Sequence, residues 1–124
     1  MSDVAAGDTL QAAIPRRGEV WFADLSPTVG HEQAGRRPIL IISADGYNRS
    51  GAGLVIALPL TSKVRPLLGR VPITPPEGGL KVASDILCGQ VRAVSGERLL
   101  RRWGAVKPAT LATVAMALRV LLEL

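Results

Sequence analysis

Apolar and polar residues follow two periods along this chain, one near two through most of it and one near 3.6 at its end. Val20 and Phe22 alternate with Glu19, Trp21 and Ala23, which predicts a half-buried strand ending near Leu25. The short runs Ile39 to Ser43 and Leu54 to Leu60 read as central strands, separated by a loop over Asp45–Gly53. A fourth strand is predicted over Arg70–Ile73, between a break at Pro66 and the turn chemistry of Pro75-Pro76-Glu77-Gly78-Gly79. Ile86 to Val94 reads as one further strand, with Gln90, Arg92 and Val94 on one face and Val91 and Ala93 on the other. The end differs. After Pro108, a favoured first-turn residue, Leu111, Val114, Leu118, Leu121 and Leu122 recur at helical spacing with no Gly or Pro between them. A short helix around Gly96–Arg101 is weakly signalled.

Short strands, turn-rich connections and one terminal helix predict a mainly β chain with helices (α+β), a small, partly open β-barrel. A parallel α/β sheet fits less well, because the gaps between strands are too short for crossover helices. The 124 residues suffice for one core, and 48 % apolar types can fill it. Residues 1–14 lack turn or period signals and read as a disordered tail, leaving 15–124 as a single domain. No apolar run approaches the roughly 18 residues of a membrane span. Asp3 and Asp8 stand where a signal peptide would carry bases. A cytoplasmic protein without membrane association is the expectation. Cys88 is the only cysteine, so an internal disulfide and a multi-cysteine zinc site are excluded.

Charge narrows the class of partner. Fifteen bases against ten acids give +5. Without the first fourteen residues, which hold two acids and no base, fifteen bases face eight acids and the excess is +7. Twelve of the bases are arginines, the side chain best suited to bidentate phosphate binding. A nucleic-acid partner is therefore favoured over a merely soluble basic surface.

Two segments hold the candidate chemistry. The connection from Pro27 to Pro38 exceeds the roughly two to five residues of an ordinary hairpin loop, and long loops often carry function. It contains His31 (the only histidine), Glu32 and Gln33, and ends in Gly35-Arg36-Arg37-Pro38. Pro38 biases Arg37 toward extended backbone at the start of a buried strand, a firm mount for a guanidinium. Thr61-Ser62-Lys63 closes the other buried strand, and two hydroxyls with a cation can hold one phosphate. That cluster gains weight only if its strand lies beside the one that begins at Arg37.

The runs Arg17-Gly18-Glu19-Val20-Trp21 and Asp24 to Pro38, with Gly30-His31-Glu32-Gln33-Ala34-Gly35-Arg36-Arg37-Pro38 most specific, strongly resemble the MazF/PemK family of toxin endoribonucleases. Asn48, Pro59-Leu60-Thr61-Ser62-Lys63, Gly78-Gly79-Leu80-Lys81 and Gln90-Val91-Arg92 continue the likeness in order, over roughly residues 16 to 124. The resemblance implies an SH3-like or CcdB-like barrel acting as a homodimer. It implies sequence-specific, metal-independent cleavage of single-stranded RNA, without a cofactor. A MazE-like antitoxin with an acidic, flexible C-terminal segment would be its partner. The family's catalytic arginine falls on Arg37 and its catalytic threonine or serine on Thr61, with Glu32 as a further catalytic candidate. Arg36, His31, Gln33, Ser62, Lys63, Asn48, Gln90 and Arg92 are the expected RNA-binding residues. Gly89 departs from the family, where an aspartate often precedes the glutamine, and this bears on the Gln90 segment.

RNA brings its own nucleophile, the 2′-OH, so a protein need only fix geometry, neutralise phosphoryl charge and move protons. Arg37 would clamp the phosphate and Thr61 would help position it. For the base, Glu32 is slightly favoured over His31, although histidine has the more suitable pKa. Neither a two-metal carboxylate cluster, nor a P-loop, nor a dinucleotide fingerprint is present. Four aromatic residues are too few for an extended base-stacking platform, which leaves base reading to hydrogen bonds and loop shape. A different class of reading is a non-catalytic toxin of the same barrel that poisons a protein such as DNA gyrase. A third is an RNA-binding module with an inactive site. Together, the Arg37 and Thr61 motifs favour the nuclease.

Overall fold

A computed structural model of the protein describes residues 14–26, 30 and 33–124. The tail expected over 1–14 lies outside the described residues but for Ile14. Among the described residues, seven strands and two α-helices run in the order β1 (Glu19–Asp24), β2 (Arg36–Ile41), α1 (Asp45–Asn48), β3 (Leu54–Thr61), β4 (Arg70–Ile73), β5 (Ser84–Leu87), β6 (Arg92–Ser95), β7 (Leu99–Ala105) and α2 (Pro108–Leu122). The strands form one antiparallel sheet, ordered β4-β5-β3-β2-β1-β7, with β6 also paired to β3. The mixed α+β class and the terminal helix are as the sequence predicts.

Alternation along β1, β2 and β3 sends apolar side chains to both faces. Val20, Leu40, Leu58 and Leu60 belong to one core, completed by Val71, Ile86 and the α2 residue Val114. Trp21, Ala23, Ile39, Ile41, Val55 and Ala57 belong to a second core with Leu25 and Val94. β1 is thus covered on both faces rather than half-buried. The 3₁₀ turn Glu77–Gly79 rests directly on β7, where a Cβ on Gly79 would stand 2.1 Å from the Trp103 carbonyl oxygen. Gly79 also has φ +72°, so two independent constraints demand glycine there. From the same turn the Glu77 carboxylate accepts the Lys107 amide at 2.8 Å and the Thr110 hydroxyl at 2.5 Å, capping α2 from outside its own sequence.

Three expectations are corrected. The single strand over Ile86–Val94 is two, β5 and β6, separated by the 3₁₀ turn Cys88–Gln90. β3 takes β5 at Leu60 and Thr61 and β6 at Leu54–Ala57, so the chain must step along β3 between them. The helix around Gly96–Arg101 is only the turn Gly96–Arg98, which leads straight into the strand β7. Shifts in the β1–β7 register between Val20 and Trp21 and between Phe22 and Ala23 erase the simple alternation that would have marked it. Asp45–Asn48, expected as loop, is one helical turn.

Burial pushes the Cys88 thiol up from 9.0 to about 11. A thiol whose folded pKa is raised stabilises the fold below its unfolded pKa and loses that contribution as pH rises through the window from about 9 to about 11. Native Cys88 should react slowly with a thiol reagent at neutral pH and fast once the chain is unfolded in urea. Rapid native labelling would contradict its placement.

Candidate functional site

Arg36 and Arg37 open β2, and Pro38 behind them favours the extended backbone the strand requires. β2 pairs with β3 through Ile39↔Pro59, Leu40↔Leu58 and Ile41↔Ala57. Extending that antiparallel register by two residues sets Arg37 opposite Thr61. The two strands are neighbours, the condition on which the Thr61 cluster depended. The Arg37 guanidinium confirms the proximity, since Nη1 donates to the Leu60 carbonyl at 3.2 Å and Nε to the Ala34 carbonyl at 3.0 Å. By alternation Arg37 shares a face with Ile39 and Ile41, and Thr61 with Val55 and Ala57. Both side chains therefore leave the strand ends on the same side. Burial lowers the Arg37 pKa from its ordinary value, yet a guanidinium remains charged at neutral pH.

The long loop is closed at its neck. Leu25 N–H donates to the Gly35 carbonyl at 2.9 Å, and Gly35 N–H to the Ser26 hydroxyl at 3.1 Å. Gln90 Oε1 accepts the Gln33 amide at 3.0 Å, and Arg92 Nη1 donates to the Gln33 carbonyl at 3.4 Å. Gln33, Gln90 and Arg92 thus meet Arg37 at the loop base, through the neighbouring Ala34. His31 and Glu32 lie outside the described residues. Arg36 points to the other face, its Nε 3.8 Å from the Asp24 carboxylate. Ser62 and Lys63 are exposed just beyond β3, and the Lys63 amide donates to Thr61 Oγ1 at 3.2 Å.

Asn48 is placed apart. It sits beyond the far end of β2, where its Oδ1 accepts the Ser43 hydroxyl and its Nδ2 donates to the carbonyls of Pro15 and Ser43, each at 3.2 Å. Those bonds fasten the chain's approach to β1, and they lie a strand's length from Arg37.

Asp85 and Arg70 were not singled out from sequence, and they hold the Thr61 loop from beneath. Asp85 pairs with Thr61 in the β3–β5 register and its side chain is 2 % exposed. Its Oδ2 accepts the Arg65 amide at 2.9 Å and Arg70 Nη1 at 3.2 Å, and the same Nη1 donates to the Lys63 carbonyl at 2.8 Å. One buried ion pair therefore pins both sides of the turn that presents Thr61, Ser62 and Lys63. The only trace in the sequence is a single acid beside an apolar run. Asp85→Ala should cost on the order of 3–5 kcal/mol, because it strands a partly buried guanidinium. Asp85→Asn should cost less. An unfolding midpoint in urea indistinguishable from wild type for Asp85→Ala would refute the pinning role.

Among the described residues, no three of His, Cys, Asp or Glu are grouped as metal ligands would be. On the opposite face of the strand ends lies a cavity of about 630 Å³, bounded by Arg36 and Pro38 from β2, Leu60 from β3 with Ser62 just beyond it, and by Lys81, Arg101 and Trp103 across from them. Arg37 borders it and Thr61 does not, so two surfaces meet at one end of the barrel.

Comparison with known proteins agrees with this geometry. A family profile described as "PemK-like, MazF-like toxin of type II toxin-antitoxin system" matches residues 16–122. The chain is 38 % identical over 116 residues to endoribonuclease MazF9 of Mycobacterium tuberculosis, covering 88 % of this chain and 97 % of that protein. It is 41 % identical over 87 residues to endoribonuclease EndoA of Bacillus subtilis, covering 69 % and 75 %. The crystal structure of MazF from Deinococcus radiodurans superposes with a TM-score of 0.80 at 29 % identity, over 90 % of this chain and 98 % of that one. With strands, helix and matched span in agreement, the chain belongs to the PemK-like, MazF-like family of toxin endoribonucleases of type II toxin–antitoxin systems.

Proposed function

We propose that this chain is a sequence-specific endoribonuclease toxin that cuts single-stranded mRNA by attack of the ribose 2′-OH, arresting translation and growth. The observation that carries the reading is the placement of Arg37 and Thr61 on adjacent strand ends and on one face. Two of the five Arg37 donors are used by the Leu60 and Ala34 carbonyls, which hold the guanidinium in place while the others meet a phosphate. Thr61 accepts from the Lys63 amide, which leaves its hydroxyl proton to donate to a non-bridging oxygen.

In the step itself the 2′-oxygen bonds to phosphorus and the phosphorus–O5′ bond breaks. The 2′-OH proton passes to a base and a proton is delivered to the departing O5′. Charge builds on the non-bridging oxygens, where a fixed guanidinium contributes most in the transition state. Glu32 is the base we favour over His31. No metal or cofactor enters this scheme. Gln33, Gln90 and Arg92 shape the loop base, and Arg36, Ser62 and Lys63 hold flanking phosphates.

The partner we infer is an antitoxin protein with an acidic segment, in line with the solved MazE–MazF complex of Deinococcus radiodurans, which superposes with a TM-score of 0.74 at 28 % identity over 90 % of this chain and 97 % of that one. We also infer a cytoplasmic homodimer. Leu111, Val114 and Leu118 pack on the chain's own core, while Met116, Val120 and Leu122 on α2, with Leu124 beyond it, stay exposed and offer one apolar surface for pairing. Sedimentation should show a dimer at micromolar concentration, and a monomer throughout that range would contradict it.

The test is chemical. Purified protein with excess EDTA should still cut a single-stranded RNA pool, leaving a 2′,3′-cyclic phosphate or its opened 3′-phosphate upstream and a 5′-OH downstream. Ends of the reverse kind, a 3′-OH with a 5′-phosphate, would overturn the mechanism. No cutting of any RNA, with stalled DNA replication in cells, would favour the gyrase-type toxin.

A further inference from the structure

The cavity on the face opposite Thr61, which Arg37 borders, has an uneven lining. Five of its thirteen lining residues are arginine or lysine, Arg37 of the neighbouring Arg37–Thr61 pair among them, and none is acidic. Arg102 is spoken for, its Nε donating to Glu19 at 2.7 Å, and Arg36 faces Asp24 at 3.8 Å. Lys81 and Arg101 are exposed and form no ion pair among the described residues. Between these cations the wall is apolar, with Pro38, Leu80 and the indole of Trp103, which is fixed by stacking on Phe22 at a centroid distance of 5.1 Å and 4° between planes. At about 630 Å³ the space falls within the roughly 300–1,000 Å³ of small-molecule sites. A flat base against an apolar wall with phosphate at a cationic rim suits such a lining.

Position decides which polyanion. Neighbouring residues on a strand have Cα atoms about 3.8 Å apart and send their side chains to opposite faces. A chain crossing the ends of β2 and β3 therefore meets Arg37 and Thr61 on one side and Arg36 and Ser62 on the other. We propose that this cavity is a subsite for a nucleotide flanking the scissile phosphate of single-stranded RNA, its base against Pro38, Leu80 and Trp103 and its phosphate drawn by Lys81 and Arg101. The proposal rests on the endoribonuclease reading of the Arg37–Thr61 pair and adds to it a specificity surface on the second face of the strand ends.

The test uses the full chain and a random-sequence single-stranded RNA with 2′-fluoro sugars, which binds but offers no 2′-OH nucleophile. Its affinity is measured against salt. Each phosphate contact of a single strand contributes about 0.7 to the slope of log K on log salt. Lys81→Ala and Arg101→Ala should each flatten that slope by about 0.7, whereas Arg119→Ala on α2 should leave it unchanged. The same probe carrying thiouridine should photo-crosslink to Leu80, Lys81 or Trp103. Slopes equal to wild type in both variants, or crosslinks confined to other segments, would overturn the subsite. So would loss of binding to an acidic antitoxin peptide with RNA binding intact, which would make the cavity a protein-docking site. The two readings fail separately. Flattened slopes and cavity crosslinks in a protein that cuts no natural RNA would keep the subsite and remove the nuclease. Cutting that persists with unmoved slopes would do the reverse.

Discussion

Arg37→Ala is expected to slow RNA cleavage by about 10²–10³-fold, the usual effect of removing one preorganised donor from a developing charge. The fold should survive the change. Arg37 sits at a strand end beside a loop, and its side chain makes two hydrogen bonds to carbonyls, of Ala34 and Leu60. Losing bonds of that kind costs on the order of 1 kcal/mol each, far too little to unfold a domain whose cores lie elsewhere. Arg37→Lys should recover only part of the rate, because an ammonium cannot reproduce a planar two-pronged contact with phosphate. Thr61→Ala should lose as much or less. Arg36→Ala should be milder and weaken binding more than turnover, since Arg36 projects to the opposite face. The measurement is single-turnover cleavage of a defined RNA alongside urea unfolding of each variant. A larger loss for Arg36→Ala than for Arg37→Ala would show that the roles have been assigned to the wrong neighbour. Near-normal cutting by His31→Ala would support Glu32, or substrate-assisted proton transfer, over histidine as the base.

Much of this arrangement is legible in the residues alone. β1 and α2 announce themselves by alternation and by helical spacing, β3 by an unbroken apolar run and β4 by the turn residues that bound it, and Arg37 is singled out by the proline behind it. The features that escaped the sequence are those that depend on two distant segments at once. β7 reads Leu99-Leu100-Arg101-Arg102-Trp103-Gly104-Ala105, and its register shifts against β1 hide its alternation. The division of β5 from β6 stems from the length of β3, whose two ends take different partners. The Asp85–Arg70 pair joins residues fifteen apart across a turn, and neither residue type at either position signals the other. Asn48 shows the converse. It continued the family likeness in sequence, yet the fold spends its amide on Ser43 and Pro15. Side-chain identity thus pointed to β2 and β3 for the proposed chemistry, while the supports beneath Thr61 became visible only with the strand register.

Replacing the single nucleotide 5′ to the cut by its 2′-deoxy form is expected to abolish cleavage at that bond altogether. The change removes one oxygen from the substrate and touches nothing on the protein. Arg37, Thr61 and the flanking cations would still find every phosphate oxygen they bind, so affinity should move little. The nucleophile, however, is gone, and no group on the enzyme is placed to supply another in this mechanism. The same substitution one nucleotide further downstream leaves the attacking hydroxyl in place and should be tolerated. This pair of substrates distinguishes chemistry from recognition: a loss of 2′-OH contacts used for binding would raise the apparent Kd, whereas loss of the nucleophile ends turnover at unchanged Kd. The experiment needs a mapped cut site, a gel to follow the products and a binding titration with each oligonucleotide. A product band from the deoxy substrate at the original bond would mean that water attacks the phosphorus. Arg37 would then be stabilising a hydrolytic transition state, and the base sought among Glu32 and His31 would be activating a water molecule instead of the ribose.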